Sequence, residues 1–172
     1  MKKFLLILVI LIVVGAGAFF AFMRYTKSFS PQIEVKAKNA NISVLYCQPA
    51  KKNREIFGGL VPYGKVWRTG ANEATTISFE KNMEIDGKTL PAGKYSIWTV
   101  PNEKTWEVIF NSQIGQWGTQ YDSTKDVLRA NAQVEKTNEG VEKFEIRFEE
   151  SENIVLEMRW DNTLVKLPLK VQ

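Results

Sequence analysis

The chain reads as an all-β protein, a mainly antiparallel β-sandwich preceded by a single N-terminal transmembrane helix. Three observations predict this: one uncharged apolar run near the N-terminus, period-two alternation of apolar and polar residues through most of the remainder, and turn-forming dipeptides at close spacing between the alternating segments.

The apolar run is Phe4 to Met23, FLLILVILIVVGAGAFFAFM, 20 residues without a charge. As a helix rising 1.5 Å per residue it matches a hydrocarbon core of about 30 Å. Its Leu, Ile, Val and Phe residues favour insertion by about 4 to 8 kcal/mol in total. A cleaved signal peptide is the competing reading, because Lys2 and Lys3, the core from Phe4 to Val14 and the small residues Ala16-Gly17-Ala18 fit that three-part pattern. Cleavage after Ala18 would leave a mature end beginning Phe19-Phe20-Ala21-Phe22-Met23, and that apolar overhang favours an uncleaved anchor. Lys2 and Lys3 precede the run while Arg24 and Lys27 follow it, so the positive-inside bias nearly cancels. A short N-terminal tail stays inside, which places the N-terminus in the cytoplasm and the rest on the periplasmic or extracellular side. Secretion to the periplasm after cleavage is the alternative. The expected division is 1–30 for anchor and linker and 31–172 for the β-sandwich domain.

Beyond Pro31 the alternation takes over, and Asn41 to Gln48 is the first strong strand, stopped by Pro49. Ala50 to Glu73 follows without clean periodicity and carries Gly58, Gly59, Pro62, Gly64 and Gly70. Thr75 to Phe79 is extended again. Met83 to Ile85 leads into Asp86-Gly87, a pair suited to the positive φ angles of a tight hairpin. Pro91-Ala92-Gly93 turns the chain into Lys94 to Val100, and Pro101 to Lys104 turns it into Thr105 to Asn111. A second irregular stretch covers Ser112 to Asp122, and Asp126 to Lys136 is the next strand. Glu142 to Glu149 and Ile154 to Trp160 alternate apolar with charged residues, as strands with one wet face do. Asp161-Asn162 reads as a further hairpin turn, and Thr163 to Lys170 as a closing strand that Pro168 marks as an edge.

Charge excludes one class of function. Lys2, Lys3, Arg24 and Lys27 account for the formal +4, and the remainder is balanced, so there is no basic footprint for nucleic acid. Cys47 is the only cysteine, which rules out an intrachain disulfide and reads as a buried small hydrophobe. The chain has no histidine, which removes the usual general base, the usual zinc ligand and the Ser-His and Cys-His nucleophile pairs. No phosphate loop or calcium loop is present. No metal and no cofactor is expected.

The stretch REIFGGLVPYGKVWRTGANEAT, Arg54 to Thr75, together with LPAGKYS at Leu90 to Ser96 and DVLR at Asp126 to Arg129, closely resembles the bacterial family catalogued as domain of unknown function 2911. The resemblance runs from about Ile33 to the C-terminus. It implies an envelope-associated β-fold and supplies no reaction. The chain departs from the family pattern after Pro49, where Asn53 stands in place of a glycine common before the arginine.

The long loop gathers Tyr63, Trp67, Arg68, Asn72 and Glu73 beside several glycines, a set able to line a ligand site. A guanidinium binds carboxylate or phosphate through two parallel hydrogen bonds, an aromatic face stacks on a sugar or a cation, and Asn with Glu takes hydroxyls. The plainer alternative has Trp67 plugging one end of the fold, Arg68 pairing with Glu73 or backbone carbonyls, and Asn72 making a turn. A weaker second cluster is Trp117, Tyr121, Asp122 and Arg129. The expected function is a non-catalytic, membrane-anchored module that binds a small polar ligand, a glycan or an envelope protein. A glycosidase-like hydrolase using Glu73 with Tyr63 or Asp122 and Arg68, or a purely structural envelope protein, are the alternatives.

Overall fold

The computed structural model describes residues 2–38, 40–151 and 153–172. Among these residues one α-helix, α1 (Lys2–Ser28), precedes nine strands. It extends the uncharged run by a few residues at each end. None of its most apolar stretch is buried against the rest of the chain. It stops where Thr26 Oγ1 and Ser28 Oγ turn back onto the carbonyls of Met23 and Tyr25, and where Pro31 has no amide to continue the ladder.

The strands are β1 (Gln32–Ala37), β2 (Ile42–Cys47), β3 (Thr75–Phe79), β4 (Met83–Ile85), β5 (Lys88–Leu90), β6 (Gly93–Val100), β7 (Thr105–Asn111), β8 (Asp126–Glu150) and β9 (Ile154–Val171). All pairings are antiparallel, in the order β1-β2-β3-β6-β7-β8-β9-β4-β5. The all-β class with one N-terminal apolar helix is therefore observed. The two faces of the sandwich belong to one continuous hydrogen-bonded sheet that folds over on itself. Three strands separate β2 from β8 in that order, yet Tyr46 Oη accepts a hydrogen bond from the Ile146 amide at 3.2 Å and its ring meets Phe144 edge-on. The chain just past β2 closes the gap, with Phe144 N–H donating to Pro49 O at 2.9 Å and Lys51 N–H to Glu142 O at 2.7 Å.

Three expectations need correction. Asp126–Lys136 and Glu142–Glu149 are one strand, β8, and Asp161-Asn162 is no hairpin turn but part of the unbroken β9. Lys136 pairs with Thr163 whereas Val141 pairs with Asp161, so residues 137–140 bulge against Asn162. Asp161 absorbs the shift at φ 50°, and Gly140 fits because a Cβ there would lie 2.5 Å from Asn162 Oδ1. Nor is β9 an edge. Pro168 is tolerated because it falls between the pairing to β8, which reaches Lys166, and the pairing to β4, which begins at Lys170. β1 and β5, short strands not singled out in the alternation, form the two actual edges.

The main core fills the fold between the faces, with Trp106, Trp160, Phe110 and Phe144 fully buried among aliphatic residues of all nine strands. A second small cluster of Trp98, Ile109 and Ala74 lies apart from it, packed against Tyr121.

Candidate functional site

The loop between β2 and β3 is held at both ends by main-chain bonds. Trp67 exchanges two hydrogen bonds with Thr99, at 2.7 and 2.9 Å, which aims its indole into the core end. That ring stacks on Trp160 at 5.9 Å and 18°, and meets Phe57, Trp106 and Phe144 edge-on. Thr69 then adopts φ 55°, unusual for a β-branched residue, with its carbonyl held by Thr75 Oγ1 at 2.7 Å and its own hydroxyl 3.2 Å from Thr99 Oγ1. At Gly70, φ 152°, a Cβ would lie 2.9 Å from Cys47 O, so only glycine passes there.

Arg68 sits between these two fixed points. It forms no ion pair and no side-chain hydrogen bond with any described residue, and its Nε is buried without a partner. Burial alone pushes its pKa below the usual guanidinium value. Its stem presses on Gly118, whose amide donates to Asn72 O at 2.9 Å; a Cβ at Gly118 would collide with Arg68 Cδ. Arg68 lines a cavity of about 350 Å³ together with Arg54, Lys65, Trp67, Trp160 and Ser30. No acidic residue lines it among the described residues. Arg54 spends part of its guanidinium on Lys51 O and Ala50 O.

Glu73 faces elsewhere. It is paired with Lys27 in the last turn of α1, and its other oxygen lies 3.6 Å from Cys47 Sγ. Burial pushes its pKa up, but the Lys27 hydrogen bond, its own amide, the Lys27 charge and the Cys47 thiol together hold it below the usual carboxylate range. It lines a neighbouring cavity of about 390 Å³ with Cys47, Gln32 and Lys94. Burial raises the pKa of the Cys47 thiol, which is 5% exposed. Asn72 reaches toward the linker, with Nδ2 3.4 Å from Ser30 O. Tyr63 lies half-buried under Gly58, its pKa raised by burial and by the charges of Glu103 and Glu55.

The structure thus divides the five loop residues: Trp67 and Arg68 share one cavity, Asn72 and Glu73 gather at the anchor linker, and Tyr63 joins neither group. It divides the second cluster as well. Trp117 bridges Glu73 through the backbone and lies under the Lys27 ammonium at 5.4 Å. Arg129 binds Asp126 at 2.7 Å, Glu107 at 2.7 Å and Tyr121 Oη at 3.0 Å. Tyr121 in turn donates to Asp126 at 2.6 Å, and its pKa is pushed up to about 12 by burial and by Asp126. Asp122 accepts from the Thr124 amide and hydroxyl, which lower its pKa, and so caps the 3-10 turn Ser123–Lys125. This network satisfies itself and brings Asp122 to neither cavity. Among the described residues, no three His, Cys, Asp or Glu side chains converge as a metal site would need.

Sequence reasoning missed Arg54, Lys65 and Lys27 as site residues. Arg54 and Lys65 lie within the family-like stretch but look like ordinary solvated charges, and Lys27 reads as an anchor flank. Their convergence depends on how the loop folds back.

Helix, linker and curled sheet together define the class: an all-β domain behind one N-terminal helix long and apolar enough to cross a membrane. The chain belongs to the family described as protein of unknown function (DUF2911), which matches residues 28–169. No curated protein and no solved structure matches it.

Proposed function

We propose that the chain is a single-pass membrane protein whose β-domain, outside the cytoplasm, is a non-catalytic module binding a small anionic ligand through the cavity at Arg68. The observation that carries this is a half-buried guanidinium with no ion-pair partner among the described residues and a buried, unpartnered Nε, set beside two further cations. A charge that has lost part of its hydration and has no partner is compensated by a bound carboxylate or phosphate, which takes two parallel hydrogen bonds from a guanidinium. The strained Thr69 beside it is pinned by Thr99 and Thr75, as residues that hold a functional group in place often are. Trp67 and Trp160 provide an aromatic wall.

Binding rather than turnover is favoured by the lining, which offers cations and aromatics and no carboxylate. Glu73 is held ionised by Lys27 and is poorly suited to give up a proton as a general acid. An uncleaved anchor is favoured by the apolar stretch Phe19 to Met23, which cleavage after Ala18 would leave as an exposed end.

The test is thermal unfolding of the full chain in detergent with inorganic phosphate, citrate and uronic acids. A ligand at a hundred times its Kd stabilises by about 2.7 kcal/mol, a shift of several degrees. Arg68→Ala should abolish that shift and Arg68→Lys should retain part of it. The site assignment fails if no anion raises Tm, or if Arg68→Ala leaves the shift intact.

A further inference from the structure

We infer that the loop end of the β-domain rests on the bilayer that holds α1, with the phosphate of an anionic phospholipid entering the cavity of Arg54, Lys65 and Arg68. This rests on the anion-binding reading above and names the source of the anion.

Distance is the first argument. α1 ends at Ser28 and β1 begins at Gln32. The intervening three residues span at most about 10 Å when extended. Ser30 lines the cavity, so the cavity lies beside the chain as it leaves the helix.

The second argument is the surface around the opening. Six large apolar side chains beyond α1 are exposed among the described residues: Phe29, Leu60, Val66, Ile114, Trp117 and Val127. All but Val127 gather here. Leu60 and Val66 border the Arg68 cavity, Ile114 borders the neighbouring one with Gln32 and Glu73, Trp117 lies under Lys27, and Phe29 lies under Lys52 at 4.6 Å. Apolar and aromatic side chains interleaved with Lys and Arg match the headgroup region, where apolar groups leave water and cations meet phosphate. A soluble anion would fill the cavity and leave those apolar residues in water; a lipid headgroup engages both.

The experiment uses the full chain in nanodiscs of phosphatidylcholine alone or doped with phosphatidylglycerol, followed by hydrogen exchange of segments 58–68 and 112–118. Phosphatidylglycerol should slow exchange in both segments several-fold and leave segment 105–111 of β7 unchanged. Lys65→Glu, and separately Leu60→Ser with Val66→Ser, all exposed and tolerable positions, should remove the effect. Equal exchange in both kinds of nanodisc overturns the inference. If soluble glycerol phosphate protects 58–68 as fully as phosphatidylglycerol does, the lipid assignment falls while anion binding stands. If neither protects it, both readings fall.

Discussion

Trp67 and Arg68 are adjacent in sequence and do opposite things with their burial. The Trp67 indole closes the core end against Trp160, Phe144, Trp106 and Phe57. Trp67→Ala should therefore cost about 3 kcal/mol, read as a lower denaturant midpoint at unchanged slope, with Trp67→Phe costing less. Arg68 is half-buried with its Nε unpartnered, and Gly118 is small because Arg68 passes over it. Gly118→Ala should destabilise by about 1 to 3 kcal/mol. Adding Arg68→Ala should recover only part of that, because Asn72 O would still lie 2.6 Å from the new Cβ. Full recovery, or none, in the double-mutant cycle would contradict the packing. The packing of Trp67 against the core end, the plainer of the two readings of that residue, was legible from its type and neighbours, and so was the burial of Cys47. The isolation of Arg68 was not, since a local pairing with Glu73 looked reasonable until the fold turned Glu73 toward Lys27.

At the scale of elements, the Lys27–Glu73 pair ties the last turn of α1 to the loop before β3, with the Trp117 ring beside it. Lys27 reads as an anchor flank in the sequence because its partner lies 46 positions away. The bulge joining β8 to β9 was hidden for a related reason: Asp161-Asn162 has the chemistry of a hairpin turn, and only pairing with the offset residues 137–140 shows it as a register shift. The ion pair makes a pH prediction whose sign follows from the depressed pKa of Glu73. A carboxylate lowered on folding contributes stability above its unfolded pKa, near 4.3, and loses it as pH falls through the lower folded value. Both partners are about a third exposed or more, so the contribution should stay under about 1 kcal/mol. The Tm difference between the parent chain and Glu73→Gln should thus be present at about pH 7 and shrink toward zero below about pH 4. A difference constant across that range would show that the pair does not couple to folding.

For the molecule as a whole, the alternation along β2, β6, β7 and β9 made the all-β class readable, whereas the strand order and the closing of one sheet upon itself were not. Closure depends on Pro49 O and Lys51 N meeting Phe144 and Glu142, and a local pattern carries no information about contacts between segments so far apart. The same architecture bears on whether 31–172 stands alone. Among the described residues none of α1 belongs to either core cluster, the first buried member being Ala37, and the most apolar stretch of the helix is not buried against the domain. Among the described residues, α1 lends the Lys27–Glu73 pair and the Lys27 contact with Trp117, both at the surface and each worth about 1 kcal/mol or less. Residues 31–172 expressed alone should therefore give a soluble protein with a β-type circular dichroism spectrum and a single cooperative unfolding transition, its Tm only a few degrees below that of the full chain in detergent. A helical or disordered spectrum, or a broad transition, would mean that the helix is part of the fold and not simply its tether.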